Sequence, residues 1–170
     1  EALAAQPYHI KRVVPPDEIA GIVDDSVYTN CAAREALRFA GESASLLGKA
    51  PDDLWSTVAE GLVVPYDAGT KRHVEFSGYK WGHAVKQADV VLLQYPLGLR
   101  MSEEVALNDL EYYAGVTQVQ DGPAMTWSLH TIAYLERGRT SEAAENFERA
   151  FANSKPPFGI WTETPTYGVA

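Results

Sequence analysis

Several stretches of this chain carry apolar residues three and four apart, each bounded by residues that start or stop a helix. That punctuation restricts the fold to short amphipathic helices packed against one another. Thr29 or Asn30 can cap a first helix running to about Leu47, with Ala33, Leu37, Ala40, Ala44 and Leu47 as its stripe and Gly48 as its stop. Pro51-Asp52-Asp53 opens a second, with Leu54, Val58 and Leu62 on one face and acids at the positive end of the dipole. Ser102-Glu103-Glu104 starts a helix to about Val116 that turns Ala106, Leu110 and Tyr113 to one side. Gly122-Pro123 starts another to about Arg137, with Met125, Leu129, Ile132 and Ala133 as its stripe. Gly138 stops it, and Thr140 caps a last helix to about Ala152 with Ala144, Phe147 and Phe151 inward.

The period changes between these helices. Val63-Val64 and His73-Val74-Glu75-Phe76 flank Asp67-Ala68-Gly69-Thr70, the pattern of a β-hairpin. An aromatic loop, Phe76-Ser77-Gly78-Tyr79-Lys80-Trp81-Gly82, leads to Lys86-Gln87-Ala88-Asp89 and an apolar run; residues 86–95 fit a short buried helix, and the run alone does not separate helix from strand. Residues 1–30 and 153–170 are rich in proline and read as long loops, the first with a short helical turn. The prediction is a mainly α fold of five or six helices with one β-hairpin, packed as a bundle or as part of a helical barrel, with the long loops gathered at one end.

At 170 residues the chain has the length of one domain. A formal charge of −9 argues against a nucleic-acid or anionic-membrane partner, and no apolar run approaches the roughly 20 residues of a membrane span. The single cysteine, Cys31, and four scattered histidines offer no metal-ligand spacing, so no metal and no cofactor is expected. Phosphate loops, G-x-S-x-G elbows and H-E-x-x-H are absent.

The loops hold the chemistry. A Lys and a Gln side by side, next to aromatics, suit the gripping of sugar hydroxyls, because Lys donates from a point charge and Gln both donates and accepts. The same residues fit a solvent-facing pair ahead of a buried segment, and spacing alone does not separate the two readings. Glycoside hydrolysis needs two carboxyl groups, and Asp17, Glu18, Asp24, Asp25, Asp89, Asp121 and Glu163 all lie in loops or at element ends. Glu18 follows two prolines that stiffen its loop, and Glu163 follows Trp161-Thr162 in an apolar setting. Each acid taken alone fits a solvated loop residue equally well.

Four segments in order resemble glycoside hydrolase family 65. Pro16-Asp17-Glu18 with Val23-Asp24-Asp25-Ser26-Val27-Tyr28-Thr29-Asn30 is similar to its P-D-E…V-D-N-x-x-Y-T-N block, with Asp25-Ser26 in place of the usual Asn-Asn. Val85-Lys86-Gln87-Ala88-Asp89-Val90 resembles its K-Q-A-D block, Gly122-Pro123-Ala124-Met125-Thr126 the G-P-A-M-T block of its hydrolases, and Pro157-Phe158-Gly159-Ile160-Trp161-Thr162-Glu163 their P-F-x-x-W-x-E block. Tyr95-Pro96-Leu97-Gly98 after the K-Q-A-D block makes the acid trehalases the most similar branch.

The resemblance implies the second half of an (α/α)6 barrel and inverting hydrolysis of α,α-trehalose to glucose. Glu18 would be the general acid, Glu163 the general base, and Lys86 and Gln87 would hold the glucose. Glu18 has to carry a proton to act, so activity should fall as pH rises. A kojibiose or glucosyl-galactosyl-hydroxylysine α-glucosidase, with the same acid and base, is the alternative. A non-catalytic carbohydrate-binding chain is a third. The resemblance further implies that residues 1–170 are one part of a barrel completed by other polypeptide. The expected partners are other pieces of a proteolysed precursor and a second copy of the assembled enzyme, outside the cell or in the vacuole or cell wall.

Overall fold

The computed structural model describes residues 7–118 and 123–165. Five helices dominate: α1 (Val27–Leu46), α2 (Asp53–Gly61), α3 (Glu103–Val116), α4 (Met125–Glu136) and α5 (Thr140–Ala150). A two-stranded antiparallel hairpin, β1 (Tyr66–Asp67) and β2 (Arg72–His73), pairs Tyr66 with His73 and Asp67 with Arg72. Glu18–Ala20 and Val90–Leu93 form 3-10 turns. Asp121 and Gly122 lie outside the described residues. No helix among those described is long and apolar enough to cross a membrane.

The helices start and stop where side chains can serve their free backbone groups. Ser102 Oγ accepts the Val105 N–H at 3.3 Å, and Asp52 Oδ1 accepts the Leu54 N–H at 2.8 Å. Gly48 and Gly138 both adopt φ of +67°. At Gly48 the Lys49 N–H returns to Ala44 O at 2.9 Å, and at Gly138 the Arg139 N–H returns to Tyr134 O, also at 2.9 Å, which closes each helix end. α1 begins earlier than predicted. Ser26 is its cap, accepting the Thr29 N–H at 3.2 Å. Thr29 and Asn30 are inside the helix, because the buried Asn30 amide donates instead to Asp25 Oδ1 and to Val63 O. Thr140 is the first residue of α5 rather than its cap.

The core gathers where α1, α3, α4 and the 3-10 turn at Val90–Leu93 meet. Val27, Cys31, Val90, Leu93, Leu110, Tyr113 and Ala133 are buried in one cluster. The predicted stripe of α3 (Ala106, Leu110, Tyr113) is fully buried. That of α1 is only half-buried, and its end at Leu47 is exposed. α5 differs from expectation. Ala143, Asn146 and Ala150 face α4, while Ala144, Phe147 and Phe151 face outward, the two Phe rings in edge contact 5.0 Å apart. Small residues at the α4–α5 contact let the two helices lie close, and no phenyl ring fits there.

The hairpin is tied to α3 by one buried carboxylate. Asp109 accepts the His73 backbone N–H at 2.8 Å and meets His73 Nδ1 at 2.6 Å, and the Tyr113 hydroxyl donates to His73 O. The chain leaving the hairpin therefore runs at a fixed height over α3 into the aromatic loop.

Candidate active site

Two segments far apart in sequence lie side by side and are cross-linked at nearly every residue. The Asp17 carboxylate (Oδ1) accepts the Ile19 N–H at 3.3 Å, capping the short turn that carries Glu18. The same oxygen accepts the Lys86 N–H at 3.0 Å. In return Asp89 Oδ2 accepts the Asp17 N–H at 3.2 Å, and the Gln87 amide donates to Pro16 O at 2.5 Å. Lys86 Nζ then reaches Glu18 Oε2 at 2.5 Å. The Ala88 N–H donates to the buried Thr126 hydroxyl at 3.1 Å, which fixes this pair of segments on the first turn of α4.

Glu163 arrives from the other end of the chain. The Trp161 indole donates to Ala150 O at 2.7 Å, at the end of α5, and Lys155 and Ile160 form an antiparallel bridge that folds the tail back. The Glu163 carbonyl accepts the Ala124 N–H at 2.7 Å and the Asn153 side-chain amide at 3.2 Å. Its backbone is thus held against the start of α4, and its half-buried side chain is left to the cleft.

Glu18, Lys86, Gln87 and Glu163 line one open cleft of about 500 Å³, together with Pro123, Met125 and Thr164. The structure therefore brings together all four residues singled out in the sequence, across 145 positions of chain between the two acids (163 − 18). The sugar-facing apolar surface differs from expectation. Among the described residues no aromatic lines this cleft; Pro123 and Met125 supply its apolar wall. The aromatic loop is a packing element instead. Tyr79 is buried and stacks edge-on with Phe76 and Trp81, while its hydroxyl donates to His83 O.

The other loop acids separate clearly. Asp24 is exposed and accepts the Arg12 N–H. Asp25 is buried in an anchoring network with His9, Asn30 and Ser77. Burial pushes its carboxyl up, but the hydrogen bonds from His9, Asn30 and Ser77 outweigh this and leave it below the usual range. Its φ of +52° is a backbone state in which Asp and Asn are the tolerated side chains after Gly. Asp17 and Asp89 are each 1% exposed, too deep to touch a sugar.

With Glu75, also 1% exposed, they form a buried group of three acids behind the Glu18 turn. Sequence reasoning passed over Glu75. Its only signal is a charge in the inward-facing register of His73-Val74-Glu75-Phe76. Burial, the neighbouring Asp89 and Asp17 charges and a hydrogen bond to Asp17 push the Glu75 carboxyl up to about 9, so it holds its proton at neutral pH. Burial pushes Asp89 to about 7 against the pull of the Asp17 N–H. Among the described residues no group of His, Cys, Asp and Glu is arranged to hold a metal ion.

An exposed acid held by a lysine and a second acid on the lining of the same cleft are two carboxyl groups of the kind that glycoside hydrolysis requires. The chain is 46% identical over 161 residues to the protein-glucosylgalactosylhydroxylysine glucosidase of Danio rerio, covering 95% of this chain and 24% of that protein. It is 36% identical over 125 residues to the acid trehalase of Emericella nidulans, covering 73% of this chain and 12% of the trehalase. A solved structure, a putative kojibiose phosphorylase from human microbiome, superposes with a TM-score of 0.70 at 18% identity, over 83% of this chain and 26% of that one. This likeness shows the fold, a mainly helical part of an (α/α)6 barrel with one small hairpin. The chain spans about a quarter of the length of the glucosidases it matches. No protein-family model matches it.

The expectation of a trehalase is overturned by these identities. The segment that pointed to it, Tyr95-Pro96-Leu97-Gly98, is a scaffold turn outside the cleft. Leu97 and Leu99 N–H groups return to Leu92 O and Leu93 O, closing the 3-10 turn. The relatives of this chain are glycoside hydrolases of the family 65 type, and those matched at 43% to 46% identity are glucosylgalactosylhydroxylysine glucosidases.

Proposed function

We propose that residues 1–170 carry the acid, the base and the sugar-gripping pair of an inverting glucosidase that removes glucose from glucosylgalactosylhydroxylysine. The observation that supports the chemistry is the convergence of Glu18, Lys86, Gln87 and Glu163 on one cleft. The choice of substrate follows the higher identity to the glucosylgalactosylhydroxylysine glucosidases. Glu18 protonates the departing oxygen as the glycosidic bond breaks. Glu163 takes a proton from a water that attacks from the opposite face, which inverts the anomeric centre. Lys86 holds a glucose hydroxyl. Gln87 commits one N–H to Pro16 O, leaving a second N–H and its carbonyl for a sugar. Other polypeptide of the same barrel closes the open side of the cleft and covers the outward phenyl rings of α5, Phe147 and Phe151.

The test incubates the complete enzyme with glucosylgalactosylhydroxylysine, kojibiose, maltose and trehalose, with and without phosphate, and follows the products by proton NMR. Free glucose appearing first as the β-anomer, fastest from glucosylgalactosylhydroxylysine and independent of phosphate, supports the reading. A sugar phosphate as product, or first appearance of the α-anomer, defeats it.

A further inference from the structure

Through one carboxylate oxygen Asp17 binds the backbone of both segments carrying the cleft's charged pair, yet it is itself buried. One carboxylate oxygen takes the N–H of Ile19, just after Glu18, and the N–H of Lys86, whose side chain meets Glu18. Its backbone N–H is taken by Asp89. No other described residue bridges residues 18–20 and 86 by accepting from both backbones. We propose that Asp17 is a positioning residue for proton donation, fixing the Glu18 carboxyl where it meets the departing oxygen. This rests on the reading of Glu18 as the acid given above.

The buried acids behind Asp17 fit such a role. A carboxylate that accepts two N–H groups needs to stay an acceptor, and burial disfavours three unprotonated carboxyls side by side. Glu75 keeps its proton at neutral pH, and that proton serves the Asp17–Glu75 contact and lowers the charge of the group. A cavity of about 270 Å³ lies on this side, lined by Asp17, Glu75, Tyr79 and His83 among others, so the clamp is backed by space and not by a rigid wall. Removal of the Asp17 carboxyl therefore lets the Glu18 turn shift. Misplacement by about 1 Å costs a reaction on the order of 10²-fold.

Leaving-group chemistry separates positioning of the acid from general damage. Hydrolysis of glucosylgalactosylhydroxylysine needs a proton on the departing oxygen, whereas α-glucosyl fluoride releases fluoride with little help from an acid. Both need the base. The complete enzyme is assayed on both substrates as wild type, Asp17→Ala, Asp17→Asn, Glu18→Gln and the Asp17→Ala/Glu18→Gln pair. Asp17→Ala is expected to lose about 10²-fold in kcat on the natural glycoside and less than about fivefold on the fluoride, with KM for the glycoside nearly unchanged. Asp17→Asn, which keeps an acceptor oxygen, recovers at least part of the loss. The double variant is no slower on the glycoside than Glu18→Gln alone. Equal losses on both substrates, or unchanged kcat on the glycoside, would overturn the proposal. If Asp17→Ala does not fold, the substrate ratio in Asp17→Asn decides in the same sense. A wild-type enzyme inactive on both substrates defeats the functional reading itself, a result distinct from the others.

Discussion

Lys86 Nζ stands 2.5 Å from Glu18 Oε2, a contact made across 68 positions of chain. The pairing is set by the backbone beneath it, where Asp17 and Asp89 exchange hydrogen bonds with the opposite segment. On the function proposed above, a sugar hydroxyl entering the cleft would compete for the same ammonium, so the lysine would serve the empty and the occupied site differently.

That dual use makes the pair a poor source of stability and a good source of binding. The two side chains are 30% and 63% exposed, and such a pair contributes at most about 1 kcal/mol. Lys86→Met should leave the melting temperature within a few degrees of wild type and raise KM at least tenfold. A large drop in melting temperature with unchanged KM would assign Lys86 to the fold.

The two acids of the cleft should each be indispensable to turnover and dispensable to folding. Glu18→Gln and Glu163→Gln keep size and shape, and loss of a general acid or base costs about 10²–10⁴-fold. Steady-state rates and circular dichroism of both variants check this. Near-normal turnover in either one removes the role assigned to that residue.

The buried acids predict a pH dependence with a definite sign. Glu75 moves from an ordinary value of 4.5 to about 9 on folding, and Asp89 from 3.8 to about 7. The folded state binds the extra protons, so the stability they contribute is complete below about pH 4 and is lost as pH rises through about 7 to 9. His130 acts oppositely. Burial, helped by the Arg149 charge, depresses it to about 4, so its contribution fades as pH falls below 6.5. Between pH 6.5 and 9 only the acids matter, and the urea midpoint should drop over that interval. Glu75→Gln, neutral at every pH, should flatten the drop.

Burial also separates two leucines that look alike in sequence. Leu110 is fully buried in the core cluster, and Leu110→Ala should cost about 2–5 kcal/mol. Leu46 is 88% exposed, and Leu46→Ala should fall within about 0.5 kcal/mol of wild type. Thermal unfolding of the complete enzyme distinguishes them.

Much of the fold was readable because helix ends announce themselves. Ser102, Asp52, Gly48 and Gly138 stand where the sequence places them, as does the Asp67–Thr70 hairpin turn. The start of α1 was not, because Ser26, Thr29 and Asn30 all have capping side chains and only the partners Asp25 and Val63 show that Asn30 is engaged elsewhere. The inward face of α5 was misread because hydrophobicity ranks Phe above Ala, while the closeness of α4 selects Ala143 and Ala150. The cleft residues were legible only through resemblance to family 65, since no local pattern ties Glu18 to Glu163. The leaving group was not legible at all. The roles proposed for Glu18, Glu163, Lys86 and Gln87 would serve any α-linked glucose, and the turn at Tyr95–Gly98 is not on the lining of the cleft. Asp17 and Asp89 were weighed as catalytic acids when their depth makes them supports.

The interlocking of residues 16–18 with 86–89 has a consequence for anyone redesigning this enzyme. Three of the four bonds run from a side chain of one strip to the backbone of the other, so the lock depends on the side chains of Asp17, Gln87 and Asp89, and only Lys86 and Glu18 are matched side chain to side chain. Met125 borders the opening outside those bonds and can be varied without touching them.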